Sequence, residues 1–199
     1  MSKARILYVC SYMKPYLGED AEAVMCRELP QAIQEMGGEV RSFMPRFGAI
    51  NERRSQLHEV IRLSGMNILI DETEHQLIIK VASIPVARMQ IYFIDNDDFF
   101  HRKGTTNDTA GVLYPDNDER SMFYARGVIE TVTKLRWSPE IIHCCDWFSA
   151  MMPVYIKKLY NDVPLFEDSK IVLSLHDNFF DQTLCKEMAR KLICEEITK

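Results

Sequence analysis

The alternation of apolar and polar positions predicts a parallel βαβ unit at the start of the chain. A continuous apolar run over residues 5–11 is typical of a buried parallel strand. Apolar residues then recur at helical spacing over residues 21–36, and Gly37 with Gly38 is a typical helix end. A second strand is predicted over residues 39–44. Strand, helix and strand in this order form one parallel unit.

The middle of the chain favours short β elements. A short helix is predicted over residues 51–63, and the polar stretch 95–115 is interpreted as a long surface loop. We interpret residues 66–94 as a β-rich insertion on the edge of the main sheet. Its three strand-like segments lie at residues 66–70, 76–81 and 89–94, and a polar segment of hairpin length joins the first two.

The parallel pattern resumes in the last part of the chain. Asp116 and Glu119 have the spacing of a capping box, and they precede a helix that is predicted to reach residue 135. The predicted elements after it are a strand (140–144), a helix (147–160), a strand (170–175) and an amphipathic helix (182–197). The sequence therefore predicts one α/β domain over residues 1–199, with a Rossmann-like, doubly wound and mostly parallel sheet.

Composition narrows the class of function. The 199 residues are 47% hydrophobic, which suffices for one substantial core, and the net charge of −5 argues against nucleic acid. The apolar run at residues 6–10 is too short for a signal peptide or a membrane span, so we expect a cytoplasmic protein that does not bind membranes. Six cysteines without CxxC spacing then predict buried thiols.

Two pairs of histidine and aspartate follow predicted strands, where open α/β sheets bind their ligands. His143 and Asp146 bracket the end of one strand, and His176 and Asp177 follow another. Such pairs serve acid–base catalysis, metal binding or sugar binding, whereas a single histidine more often satisfies loop backbone. Because neither HxH nor HExxH spacing occurs, we expect a binding cleft that uses no metal and no cofactor.

The loop after the first strand lacks a phosphate-binding pattern. Residues 14–23 read KPYLGEDAEA, with one glycine, Gly18, and the acids Glu19, Asp20 and Glu22. Side chains prevent the close approach of a phosphate to backbone amides, and carboxylates repel it. NAD, FAD and ATP bound by a P-loop are therefore disfavoured, and the acids are better explained as partners of a helix dipole.

A series of motifs resembles one enzyme family. The motifs are PRFG (45–48), YFID (92–95), FFHRKG (99–104), YPDNDER (114–120), SPEIIHCCDW (138–147) and LSLHDN (173–178). They occur in the family's order over nearly the whole chain, and YPDNxxR and HCxDW are the most specific of them. On these motifs the chain resembles the catalytic domain of ADP-glucose-dependent bacterial and plant glycogen and starch synthases.

The resemblance implies the N-terminal half of a GT-B glycosyltransferase, with the C-terminal half absent from residues 1–199. Such enzymes transfer glucose from ADP-glucose to the non-reducing end of an α-1,4-glucan, without a metal. The N-terminal half mainly binds the glucan acceptor, so the implied ligands are an α-glucan and ADP-glucose. The candidate sugar-binding residues are His143, Asp146, Trp147, Phe148, His176 and Asp177.

Two departures from the family pattern bear on activity. The family has a lysine-threonine-glycine-glycine loop after the first strand, whereas Gly18 stands here at the lysine and Asp20-Ala21 at the glycines. This degenerate donor loop would repel a pyrophosphate. Phe148 stands where the family has a polar residue; it can stack on a sugar or fill the core, but it cannot donate a hydrogen bond.

Two hypotheses follow from these departures. In the first, the chain is a synthase-family protein that is inactive or incomplete alone and acts with a separate C-terminal domain. In the second, it is a pseudoenzyme, a non-catalytic glucan-binding or regulatory module that keeps the acceptor face. Both predict an apolar surface that a second copy of the chain or a partner domain covers.

Overall fold

The computed structural model describes residues 3–176 and 183–194. Within these residues the strands are β1 (Arg5–Val9), β2 (Glu39–Pro45), β3 (His58–Glu59), β4 (Met66–Ile70), β5 (Thr73–Ile84), β6 (Met89–Asp95), β7 (Ile141–Cys145) and β8 (Lys170–Ser174). The helices are α1 (Ala21–Glu35), α2 (Glu52–Ser55), α3 (Asp97–Phe100), α4 (Asn117–Lys134), α5 (Met151–Lys158) and α6 (Met188–Cys194), with a 3-10 helix at Pro85–Ala87.

The strands form a mixed sheet in the order β3-β5-β6-β2-β1-β7-β8, and β4 pairs only with β5. The five strands from β6 to β8 run parallel, whereas β5 pairs antiparallel with β6 at the edge. The predicted α/β class with a mostly parallel, doubly wound core is thus confirmed. The last segment of the predicted β insertion is β6, which continues the parallel sheet because it pairs with β2.

Both faces of the central strand β1 are covered, which explains its nearly continuous apolar sequence. Leu7 and Val9 of β1 belong to the larger core, together with Phe123 of α4. Tyr8 points to the opposite face and packs in a second core with Cys26 of α1. Because successive side chains of a strand alternate between the two faces, every residue of β1 after the first is buried.

Local residue chemistry sets the ends of α1. The Asp20 carboxylate accepts a hydrogen bond from the backbone N–H of Ala23 at 2.8 Å, as an N-cap does. At the other end Gly37 has φ of +95°, and the N–H groups of Gly37 and Gly38 donate to carbonyls of the last turn. Both ends agree with the sequence-based prediction. Gly18 has φ of +80°, and a Cβ there would lie 2.6 Å from the Ala23 Cβ, so a larger residue does not fit.

A two-residue turn makes the β4–β5 hairpin tighter than predicted. Asp71 and Glu72 both have positive φ, 43° and 67°, which is typical of a type I′ turn. β5 therefore starts at Thr73 and is twelve residues long. The helix predicted over residues 51–63 is wrong for most of its length, because Gln56 is left-handed and ends α2 after one turn.

Residues 101–115 of the predicted surface loop at residues 95–115 are irregular and mostly exposed or half-buried, as predicted, whereas its first part is packed against the core. It contains α3, and the side chains of Phe99 and Phe100 are buried. The buried guanidinium of Arg120 holds this segment through three hydrogen bonds: Nε donates to the Phe99 carbonyl at 2.8 Å, Nη2 to the Thr105 carbonyl at 2.8 Å and Nη1 to Asn117 Oδ1 at 2.6 Å. Burial lowers the pKa of Arg120 to about 10, so the side chain remains a cation at neutral pH.

The capping box predicted at Asp116 and Glu119 does not form. The Asp116 carboxylate makes no bond to the backbone of α4, because it accepts a bidentate pair from Arg102 at 2.6 and 2.7 Å. The pair joins two opposite charges through two hydrogen bonds, whereas a cap would join the carboxylate to an uncharged backbone N–H. Glu119 contacts Lys191 of α6 at 2.5 Å, and the same Lys191 ammonium lies 2.7 Å from the buried Asp118.

The last predicted helices begin later than expected. The helix predicted from residue 147 is α5, which starts at Met151 after a turn at residues 147–150. Of the helix predicted over residues 182–197, residues 183–187 form an irregular segment and a turn, and α6 begins only at Met188; residues 182 and 195–197 lie outside the described residues. Of the helices that are described, none combines the length and the apolar character that a membrane crossing requires.

We predict that Arg120→Lys lowers the free energy of unfolding by about 3 kcal/mol, because an ammonium cannot satisfy the three buried acceptors that the guanidinium fork reaches. Urea denaturation followed by circular dichroism measures this change. Arg62→Lys, at an exposed arginine, is the matched control and should change stability by less than about 0.5 kcal/mol. Equal stability of the two variants would contradict the role assigned to Arg120.

Candidate functional site

A cavity of about 400 Å³ lies at the C-terminal ends of β1 and β7. We call it the carboxylate cavity. Its walls come from the loop after β1, the start of α1, the segment between α3 and α4, and the turn after β7. The lining residues are Ser11, Tyr12, Asp20, Glu22, Thr106, Asn107, Leu113, Asp146, Trp147 and Phe148.

Asp146 joins the two strand ends that form the floor of the carboxylate cavity. Its Oδ2 accepts a hydrogen bond from the Ser11 N–H at 3.1 Å, and its Oδ1 accepts from the N–H groups of Phe148 at 2.7 Å and Ser149 at 3.2 Å. Its backbone is left-handed, with φ of 71°, a conformation that aspartate tolerates better than most residues. The position therefore suits a short side chain that accepts hydrogen bonds.

Burial, with a smaller contribution from the nearby negative charge of Glu22, raises the pKa of Asp146 to about 7. The N–H donors of Ser11, Phe148 and Ser149 act in the opposite direction, because they stabilise the carboxylate. Burial outweighs these bonds. Asp146 therefore changes its protonation state near neutral pH, inside a cavity that a ligand can enter.

The charges around the carboxylate cavity are all negative. Asp20, Glu22 and Asp146 line it, and none of its lining residues, all from the described part of the chain, is a lysine, arginine or histidine. The N-terminus of α1 would favour an anion, but the Asp20 carboxylate already occupies it as the cap. Lys14 of the same loop is paired with the exposed Glu19 at 2.7 Å. These charges disfavour a bound diphosphate.

Two aromatic residues from the turn after β7 line the carboxylate cavity. Trp147 is half-buried, and its ring meets that of Phe148 edge to face at 5.3 Å. Phe148 is fully buried and packs against Phe47 and Tyr124, with ring centroids 5.6 and 5.9 Å away. Phe148 therefore fills the core. Of these two residues, Trp147 has the exposure needed to stack on a ligand; Tyr12, which also lines the cavity, is likewise half-buried.

Two of the other predicted site residues, His143 and His176, do not line the carboxylate cavity. His143 lies on β7, where its Nε2 is 2.8 Å from Ser174 Oγ and its ring meets Tyr8 edge to face at 4.9 Å. His176 follows β8, the sheet neighbour of β7 as predicted, and its Nε2 has no hydrogen-bond partner among the described residues. Asp177 lies outside the described residues.

The degenerate donor loop is divided between two depressions. Asp20 lines the carboxylate cavity, whereas Gly18 lines a neighbouring depression of about 520 Å³ beside Pro85. Ala21 is the exposed first residue of α1. The role of all these residues in binding stays a prediction.

Sequence reasoning missed one wall of the carboxylate cavity. Thr106, Asn107 and Leu113 belong to the segment that was interpreted as a surface loop, and Ser11 was counted as the end of a strand. The Ser11 hydroxyl is buried and has no hydrogen-bond partner among the described residues. The FFHRKG and YPDNDER motifs flank the missed segment on both sides, and they were the available signal.

One cluster outside the carboxylate cavity has side chains that could bind a metal ion, but neighbouring cations already neutralise its carboxylates. Oxygen and nitrogen atoms of Glu52, Asp95 and His101 lie within 4.8 Å of one another. Lys80 Nζ already lies 2.7 Å from Glu52 and 2.8 Å from the buried Asp95, and Arg46 contacts both carboxylates. Two cations thus neutralise the two acids, and the cluster is a structural ion-pair network.

The cysteines behave as predicted where they are described. Cys10, Cys26, Cys144 and Cys145 are buried free thiols, and Cys185 is half-buried. Burial raises the pKa of Cys144 and helps raise that of Cys145, so both remain protonated. They act as small apolar side chains under the floor of the carboxylate cavity.

Comparison with known proteins identifies one family. The family model described as the starch synthase catalytic domain matches residues 5–197. The glycogen synthase of Chlorobium luteolum is 35% identical over 195 residues, which cover 98% of this chain and 40% of the relative. The glycogen synthase of Chlorobium limicola is also 35% identical over 195 residues, with the same coverage. The chain thus spans about two fifths of the length of these relatives.

A solved structure has the same fold. The catalytic domain of starch synthase IV from Arabidopsis thaliana, bound to ADP and acarbose, superposes with a TM-score of 0.73. The match covers 88% of this chain and 34% of that protein, at 19% sequence identity. At this identity the likeness shows the fold alone.

We predict that the stability contributed by Asp146 falls as the pH rises through about 7. A carboxyl whose pKa is raised on folding stabilises the protein while it is protonated and loses that contribution above its folded pKa. Relative to Asp146→Asn, the wild type should lose at most about 4 kcal/mol between acidic and mildly alkaline pH. Urea unfolding of both proteins over this pH range measures the difference, and a constant difference would mean that the carboxylate stays ionised.

Proposed function

The chain belongs to the family of starch synthase catalytic domains, and on that premise we propose that it serves α-1,4-glucan synthesis as the acceptor-binding half of a glucosyltransferase. The reaction is transfer of glucose from ADP-glucose to the non-reducing end of a glucan. Two glycogen synthases are its relatives, and the starch synthase of the same fold is bound to ADP and acarbose. The acceptor binds in the carboxylate cavity.

The observation that carries this proposal is the combination of carboxylates and an accessible tryptophan around one cavity. Carboxylates accept hydrogen bonds from sugar hydroxyls, and the face of an indole ring packs against the apolar face of a sugar. Asp20 and Glu22 supply the carboxylates, and Trp147 supplies the indole ring. The cavity, at about 400 Å³, falls in the range of ligand pockets, roughly 300–1,000 Å³.

The donor half of the reaction needs positive charge that the carboxylate cavity does not supply. When the glucosyl bond breaks, negative charge develops on the departing diphosphate, and catalysis requires cations or N–H donors placed there in advance. The lining residues offer three carboxylates instead. We infer that glucosyl transfer depends on cationic groups from outside the described residues, in a C-terminal domain that binds the nucleotide-sugar.

The same charges favour a second candidate function. If no donor-binding domain acts with this chain, it is a non-catalytic glucan-binding or regulatory module. Asp20 and Glu22 support this reading, because they stand at the strand end where the family's donor loop would contact phosphates. Glucan binding without elongation, also in the presence of a donor-binding synthase domain, would identify this second function.

The edge strand β8 is the surface that we propose for the partner domain or a second copy. Val172, Leu173 and Leu175 expose 46%, 40% and 72% of their surface. Val172 and Leu173 are consecutive and point to opposite faces, so both faces of the sheet are exposed at this edge. Apolar edge strands tend to be covered in functional assemblies.

We predict that the protein binds maltooligosaccharides and that Trp147→Ala weakens this binding about tenfold, because the stacking surface for the sugar is lost. Isothermal titration calorimetry with maltotetraose measures the change. Trp147→Phe keeps an aromatic ring and should lose less affinity. Wild-type affinity in the alanine variant would show that the glucan binds elsewhere.

We predict that Asp20→Asn raises the affinity for ADP about threefold to tenfold, because it removes one negative charge from the cavity wall. Asparagine is an equally good N-cap, so α1 keeps its start. Glu19→Gln is the matched control, since Glu19 is exposed, pairs with Lys14 and does not line the cavity. Calorimetry or equilibrium dialysis with ADP provides the readout, and equal affinities in all three proteins would contradict electrostatic exclusion.

A further inference from the structure

A second cavity, of about 550 Å³, lies at the N-terminal ends of the strands, where β2 and β6 begin. Three basic side chains line it: Lys3, which precedes β1, Arg41 of β2, and Arg88, which precedes β6. We call it the basic cavity. Its charge contrasts with that of the whole chain, which is −5.

The positive charges of the basic cavity are poorly compensated. Lys3 and Arg88 are exposed, and neither has a carboxylate within 4.0 Å among the described residues. Arg41 is half-buried, and its Nη1 has no hydrogen-bond acceptor among those residues. Like charges that converge on one concave surface repel one another, so this arrangement is unfavourable unless an anion occupies it.

Glu39, the acidic residue that lines the basic cavity, already contacts Trp137 and Arg41. Glu39 Oε1 accepts a hydrogen bond from Trp137 Nε1 at 2.7 Å and lies 3.7 Å from Arg41 Nη2. The Arg41 guanidinium stacks at 4.7 Å from the centroid of the Trp137 ring, which fixes its position. Arg41 is therefore a preorganised cation whose charge Glu39 offsets from one side.

The C-terminus of α1 also points to the basic cavity and explains part of the basic cluster. Gln34 and Gly37 line the cavity, and the last carbonyls of a helix carry about half a negative charge. Glu39 and this helix end together offset about one and a half of the three positive charges. A net positive charge remains.

We propose that the basic cavity binds a phosphate monoester. Its dianion matches the remaining charge, and arginine guanidinium groups pair with phosphate oxygens in a bidentate geometry. Half-buried Tyr92 and Gln34 line the same cavity: the Tyr92 phenol offers a hydrogen bond to the organic part of the ligand, and Gln34 offers its amide oxygen, since its Nε2 already donates to the Arg88 carbonyl at 3.1 Å.

This phosphate site is separate from the carboxylate cavity. The two cavities lie at opposite ends of α1, whose first turn carries Glu22 and whose last turn carries Gln34. A helix of 15 residues is about 22 Å long. The proposal therefore stands on its own observations and does not rest on the proposed glucan function.

The test is a titration of the protein with glycerol phosphate and with inorganic phosphate at constant ionic strength, followed by calorimetry. We expect saturable binding that weakens about tenfold or more in Lys3→Gln/Arg88→Gln, because two charge-assisted contacts are lost. Both residues are exposed, so the double variant should fold normally. Arg62→Gln, at an exposed arginine outside the cavity, is the matched control and should bind like the wild type.

Each outcome decides the proposal. Saturable binding that the double variant loses and the control keeps supports the site. Binding of inorganic phosphate alone would limit the ligand to the free anion and overturn the monoester. Absence of saturable binding, or equal binding by the double variant, would overturn the site itself.

Discussion

The buried guanidinium of Arg120 is the contact on which the shape of the site depends. It donates to the carbonyls of Phe99 and Thr105 and to the side chain of Asn117, and it lies among four aromatic rings. These bonds hold the segment between α3 and α4 against the core. Thr106 lies in that segment, and its carbonyl accepts a hydrogen bond from Asn117 Nδ2 at 2.8 Å, so Arg120 and Asn117 together help to place one wall of the carboxylate cavity.

The two ends of the parallel strands carry opposite charges. At the C-terminal ends of the strands, Asp20, Glu22 and Asp146 surround a cavity without cationic lining residues, and this favours hydroxyl groups over phosphates. At the N-terminal ends, Arg41 and two other cations surround a cavity of similar size. In this synthase fold the clustered positive charge therefore lies at the N-terminal strand ends, far from the C-terminal strand ends where the family's donor loop would bind a diphosphate.

The sequence predicts the parallel core well because the two signals there, apolar runs for strands and capping residues for helix ends, are local. Short, mostly apolar runs give β1, β7 and β8, and Gly37 with Asp20 gives the ends of α1. The first part of the segment at residues 95–115 was misjudged because its polar composition hides two buried phenylalanines, which a distant arginine holds in place. The capping box failed for a similar reason, since Arg102 competes for the Asp116 carboxylate. Long-range contacts of single charged side chains leave no periodic pattern in the sequence.

Crystals soaked with ADP-glucose and maltotetraose together would test the central claim, that the carboxylate cavity receives a glucan and excludes a diphosphate. The account predicts sugar density beside Trp147 and Asp20, and no phosphate density there. A diphosphate seated against the turn from Gly18 to Ala21, with its oxygens bound by the backbone of that turn, would contradict it.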